Sequence, residues 1–192
     1  VRALSAEGGC TTDMIFDMLA RVKDKVSVPI VLMSYLNPVY KFGYEEFMAK
    51  CAETGVSGLI IPDMPYDERS ELLPFADKYD IDIISLVAPA GKSRIRMIAE
   101  DAKGYIYVLP SLNATDTRND IVTDISGIVA EIRQVTDVPV ILEIGVHYPE
   151  AEYETIADGF VVENAIVNII AKHGNEATGP ISDYVKKTVE SL

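Results

Sequence analysis

The sequence predicts an α/β fold built on a parallel sheet, and three observations predict it. Short apolar runs recur at residues 29–34, 58–62, 82–87, 105–109, 139–143 and 159–162. Each is about five residues long and apolar on both faces, as strands covered on both sides must be. The stretches between them space apolar and charged residues as helices do, and strict alternation of strand and helix implies right-handed crossovers between parallel strands.

In order along the chain, a helix is expected over residues 13–22, with no strand ahead of it. In the helix expected over 44–54, Phe47 and Cys51 fall on one stripe and Glu46 and Lys50 on another. Gly55 stands where a helix C-terminal cap belongs, and so does Gly104 after the helix expected over 93–101. Further helices are expected over 67–78, 121–134, 149–157 and 165–172. Pro149 and Glu150 mark one start, with the ring in the first turn and the acid near the positive dipole end. His173 complements the dipole at a helix end. The segment Asn175-Glu176-Ala177-Thr178-Gly179-Pro180 reads as a loop before a closing helix over 181–191.

No low-complexity linker divides the 192 residues, so one domain over residues 1–192 is expected. Hydrophobic residues at 48% and charged residues at 24% suit a soluble globular chain. The balance of 17 Lys+Arg against 30 Asp+Glu gives −13, a surface that repels phosphate backbones and argues against nucleic acid. No basic amphipathic stretch offers docking on anionic lipid, and no apolar run approaches the ~20 residues of a membrane span. Cys10 and Cys51 show no metal or redox spacing, so reduced thiols in a cytoplasmic protein are expected.

Strand spacing alone suits both a barrel and an open doubly wound sheet. No Gly-x-Gly-x-x-Gly follows any run, which weakens the dinucleotide-binding version. Six runs fall two short of the eight that a closed barrel needs, and the first two strands are expected to be missing from this sequence.

The segment Pro29-Ile30-Val31-Leu32-Met33-Ser34-Tyr35-Leu36-Asn37-Pro38 resembles the third strand and following loop of the tryptophan synthase α chain family. Gly55-Val56-Ser57-Gly58-Leu59-Ile60-Ile61-Pro62-Asp63-Met64-Pro65 resembles its fourth strand and loop. Gly104-Tyr105-Ile106-Tyr107 is similar to the sixth strand, and Asp158-Gly159-Phe160-Val161-Val162 with Ala165-Ile166-Val167 to the eighth. These motifs follow family order from about Ala3 to the C-terminus.

The resemblance implies a (β/α)8 TIM barrel, incomplete, with about six of its eight strands in this chain. It implies cleavage of indole-3-glycerol phosphate to indole and glyceraldehyde 3-phosphate in tryptophan biosynthesis, no cofactor on this chain, and a tryptophan synthase β subunit as partner. That retro-aldol step needs two positioned carboxylates to move protons. The family carries them in a Glu-x-Gly-x-Pro-Phe-Ser-Asp-Pro stretch that these residues do not contain, so no catalytic residue is assigned and the chain as given is expected to be inactive.

The substrate-binding positions implied by the resemblance are Tyr107, Thr115, Gly145 and Asn164. Tyr107 is also readable as a core tyrosine with a backbone partner. The phosphate-binding loops depart from the family pattern. An arginine has become Ser111, glycines have become Asn113 and Asp116, Gly-Phe-Gly has become Glu143-Ile144-Gly145, and Gly-Ser has become Glu163-Asn164. Among these glycines only Gly145 is kept, and each loss puts a side chain where backbone should approach the ligand. At ~6 Å and an effective dielectric of ~20, each of Asp116, Glu143 and Glu163 would repel a phosphate charge by roughly 3 kcal/mol. A helix dipole offsets only ~0.3–1 kcal/mol of that. Acids drifting on a solvated rim are the plain alternative, and an acidic pocket joined by His147 is a sharper one; no metal site is assigned.

In the family the loops after the third and fourth strands touch the β subunit. Tyr35, Asn37, Pro38, Asp63 and Pro65 stand in those loops here. Turn chemistry explains the prolines but not the whole set, which points to partner docking. The readings carried forward are an α-chain enzyme, a non-catalytic α-like subunit that binds or regulates a β partner, and a barrel recruited to another ligand through its acidic rim.

Overall fold

A computed structural model of the chain describes residues 9–109, 124–143 and 155–190. All strand pairs are parallel. The order is α1 (Thr12–Val22), β1 (Ile30–Met33), α2 (Leu36–Phe42), α3 (Tyr44–Glu53), β2 (Val56–Ile60), α4 (Leu73–Lys78), β3 (Asp82–Ile83), β4 (Ser85–Val87), α5 (Lys92–Glu100) and β5 (Ile106–Val108). It continues through α6 (Ile125–Ile132), β6 (Val140–Glu143), β7 (Gly159–Val161), α7 (Asn164–His173) and α8 (Thr178–Glu190). The sheets run β1-β2-β3 and β4-β5-β6-β7.

All six strand runs read from the sequence carry strands, and the barrel they form is incomplete. The run 82–87 is split, because β3 pairs with β2 while β4 pairs with β5. Period-two alternation then sorts the strand residues into layers. Leu59 and Ile83 face α1, α3 and α4, in a core with Phe16, Leu19, Phe47, Met48 and Cys51. Ile106, Val108, Val140 and Leu142 face α5 and α6, with Ile95, Ile98, Ile128 and Ile132. The opposite face holds Ile60, Ile84 and Tyr107, with Val31, Leu86 and Val161 packed against them. This third cluster is the barrel interior.

The stripe expected of Phe47 and Cys51 is the buried face of α3, at 2% and 0% exposure. Phe47 meets Phe16 of α1 and Phe42 of α2 with ring centroids 5.2 and 5.7 Å apart, so one aromatic knot fastens three helices. Truncating such a ring to Ala costs about 3–5 kcal/mol.

Several elements differ from expectation, each for a local reason. The stretch expected as loop after the first run is α2, whose first turn admits Pro38 because no intrahelical N–H is needed there. The helix expected over 67–78 is a 3₁₀ turn, Tyr66–Glu71, followed by α4. Pro74 interrupts it, since a proline ring clashes with the carbonyl one turn back. The segment expected as a loop after Gly174 is a 3₁₀ turn, Gly174–Glu176, and then the first turn of α8, which begins at Thr178 rather than at residue 181. Gly55 does stand just past α3, at φ +78. Gly104 is left-handed too, at φ +66, but lies beyond the C-cap Asp101 and turns the chain into β5 instead of capping α5. The helix expected over 149–157 falls mainly outside the described residues.

Candidate functional site

The barrel interior offers an apolar wall. Tyr107 is the middle residue of β5 and is 2% exposed. Its register partners are Leu86 on β4 and Ile141 on β6. Burial raises the Tyr105 phenol above its ordinary range, so this tyrosine adds no charge to the wall.

The C-terminal ends of β5, β6 and β7 lie side by side. Glu143 is the last residue of β6 and its backbone pairs with Val161 of β7. Glu163 follows as the N-cap of α7; it is exposed and makes no side-chain capping bond. Asn164 is the first residue of that helix and is exposed as well. Tyr107 on β5, Glu143 at the end of β6 and Asn164 just after β7 therefore belong to three successive strands of one sheet and the helix that follows the last of them. Thr115, Gly145, Ser111, Asn113, Asp116 and His147 lie outside the described residues. Among the described residues, no three His, Cys, Asp or Glu side chains are grouped to hold a metal.

A second cluster forms where β1 and β2 end. Asp63 Oδ1 accepts the Leu36 backbone N–H at 2.8 Å, capping α2 from the neighbouring loop. Ser34 N–H donates to the Ile60 carbonyl at 3.0 Å just below it. Tyr35, Asn37, Pro38, Asp63 and Pro65 are all exposed around this tie. The structure thus joins into one surface the two loops that the sequence singled out separately.

The family model for the tryptophan synthase alpha chain matches residues 1–190. The chain belongs to the tryptophan synthase alpha chain family. The Lacticaseibacillus casei alpha chain is 41% identical over 178 residues, which are 92% of this chain and 67% of that protein. The Lactiplantibacillus plantarum alpha chain is 40% identical over 185 residues, covering 95% and 70%. Among solved structures, the tryptophan synthase alpha subunit of Campylobacter jejuni superposes with a TM-score of 0.76 at 29% identity, covering 90% of this chain and 70% of that one. A structure of the tryptophan synthase α2β2 complex of Pyrococcus furiosus gives 0.80 at 29% identity, covering 96% and 75%. Among the described residues, no helix is long and apolar enough to cross a membrane.

Sequence reasoning passed over three features of this tryptophan synthase alpha chain relative. The helix α2 was hidden because its cap comes from Asp63, 27 residues away. Glu131 of α6 is 6% exposed and receives Lys92 Nζ and Arg96 Nε of α5, each at 2.7 Å. Ser85, the one hydroxyl in the run 82–87, was visible as a polar residue in an apolar strand but was not weighed.

Proposed function

We propose that the protein works as a tryptophan synthase α subunit, in the cleavage of indole-3-glycerol phosphate to indole and glyceraldehyde 3-phosphate. The match to the family over residues 1–190 carries this reading. The apolar wall around Tyr107, Ile60 and Leu86 supports it, because a flat indole ring is recognised by burial against apolar surface. Residues 1–192 form one barrel domain in this reading, without its first two strands. Their part is to enclose the ring and to meet the phosphate at the N-terminus of α7, while the proton-moving carboxylates come from sequence outside these residues. The surface joined by Asp63 and Leu36 is the docking site for a β subunit, and the protein is cytoplasmic.

Indole release from indole-3-glycerol phosphate tests the reading. The 192-residue chain alone is expected to release none. A chimera with the N-terminal strands and loops of the Lacticaseibacillus casei alpha chain placed before Val1 is expected to release indole. Turnover by the chain alone would overturn the placement of the proton-moving groups. A folded chimera that binds glycerol phosphate yet never yields indole would overturn the activity itself.

A further inference from the structure

The loop after β2 stands between the two helix-covered cores. Ile61 is buried in the core beneath α1, α3 and α4, and Met64 packs against it. Further along, Tyr66 packs against the other core, that of α5 and α6. Asp63 and Pro65, exposed between these anchors, belong to the surface that the Leu36 N–H ties to α2.

The anchor on the second core is more than packing. The Tyr66 hydroxyl donates to Asp101 Oδ2 at 2.7 Å, with the Met97 carbonyl a second acceptor at 3.1 Å. Arg69 donates to the same carboxylate oxygen at 2.9 Å and lies 3.8 Å above the Tyr66 ring. The Arg69 side chain is only 11% exposed. Asp101 is the C-cap of α5, where an acid meets the negative end of the helix dipole. Its placement therefore serves Tyr66 and Arg69 rather than its own helix. Two further pairs span the same gap, Arg94 with Asp67 and Lys103 with Asp77, but both partners are exposed in each and such pairs contribute little.

We propose that Tyr66, Arg69 and Asp101 form a latch that positions the loop after β2 from the second core, so that the docking surface around Asp63 is ordered before a partner arrives. Ordering a loop in advance removes part of the cost of binding. The proposal deepens the docking reading of this loop, and its test contains no β subunit, so the two can fail separately. Amide hydrogen exchange in the full chain, followed residue by residue by NMR, is that test. The Leu36 N–H reports on the loop because Asp63 is its acceptor. The Phe47 N–H, bonded to the Gly43 carbonyl at 2.8 Å, reports on α3 in the adjoining core. Asp101→Ala removes the acceptor that Tyr66 and Arg69 share, at an exposed site where losing an acid does not harm the helix end. Tyr66→Phe keeps the ring and removes only the hydroxyl. Leu36 exchange is expected to rise about tenfold in Asp101→Ala and about threefold in Tyr66→Phe, as lost hydrogen bonds of ordinary strength allow, with Phe47 unchanged. Asp101→Asn keeps an acceptor oxygen and should fall between parent and Asp101→Ala. Unchanged Leu36 exchange in Asp101→Ala, or equal acceleration of Leu36 and Phe47, would refute the latch.

Discussion

Val140 and Asp158 hold each other by two hydrogen bonds in opposite directions. The Asp158 N–H donates to the Val140 carbonyl at 2.9 Å, and Asp158 Oδ2 accepts the Val140 N–H at 2.7 Å. Arg133 pairs with the same carboxylate. The clasp sets β7 beside β6 one residue before their register begins at Ile141 and Gly159.

The Asp158 carboxyl is held below its ordinary range, chiefly by the Val140 N–H and then by Arg133. A group with a depressed folded pKa contributes stability above its unfolded pKa and loses it as pH falls through the folded value. Asp158→Asn is therefore expected to lower Tm at pH 7. The gap from the parent should narrow below about pH 4, where the unfolded carboxyl protonates. Melting curves across that range check it, and a gap independent of pH would sink the idea.

Glu131 follows the same sign for a different reason. Hydrogen bonds from Lys92 and Arg96 lower its carboxyl, and it ties α5 to α6. Glu131→Gln keeps the shape and removes the charge, so its Tm should fall at neutral pH and approach the parent's in acid. Raising salt should narrow the gap as well, since Lys92 and Arg96 are substantially exposed.

The two thiols should separate by reactivity. Burial pushes the Cys51 thiol up to about 12, and its side chain is fully enclosed, while Cys10 is exposed. Because the thiolate is the reacting form, a disulfide reagent at neutral pH is expected to titrate Cys10 in the folded protein and Cys51 only after unfolding. Rapid loss of both thiols under native conditions would contradict the packing described for α3.

The strands were legible because they need apolar residues on both faces and no partner has to be known to see that. The stripe of Phe47 and Cys51 was legible because helix periodicity is local. What stayed hidden depends on distant contacts. The start of α2 rests on Asp63 from another loop, and the split at Ser85 rests on which neighbour each half of one run pairs with. The site was legible only as positions: Tyr107 lies on β5 and Asn164 opens the helix after β7 of the same sheet, while Thr115 and Gly145 lie outside the described residues.

Asp63→Ala removes the cap on Leu36 and should cost about 1 kcal/mol of stability, in the range measured for lost N-terminal caps. Asp63→Asn keeps an acceptor oxygen and should recover most of it. If the joined loops dock a β subunit, affinity for that subunit should follow the same order, parent above Asn above Ala. Denaturant unfolding and calorimetric titration give the two rankings, and equal binding by all three would remove Asp63 from the interface.

Glu163 bears on phosphate. Replacing Glu163 and Asn164 by Gly and Ser removes one charge from the N-terminus of α7. At ~6 Å the repulsion is roughly 3 kcal/mol at an effective dielectric of ~20 but only ~0.7 kcal/mol in water. Since Glu163 is exposed, the gain in glycerol phosphate affinity is expected near the lower figure, about three- to tenfold at low salt. Titration of both proteins decides it; an unchanged affinity would mean that the acid turns away from the anion.

Because residues 82–87 give their first half to one sheet and their second half to the other, the two helix-covered cores share a single seam. Opening β1 and β2 breaks the bond from Ile84 to Leu59 but leaves the ladder from Ser85 to β5 closed. The two sheets are then expected to open at separate free energies, coupled through the interior cluster of Ile60, Ile84 and Tyr107. Amide protons of β5 and β6 would then exchange on one timescale and those of β1 and β2 on another. The Ile84 amide, next in sequence to Ser85 of β4, would keep time with the far unit rather than with the strand that follows it.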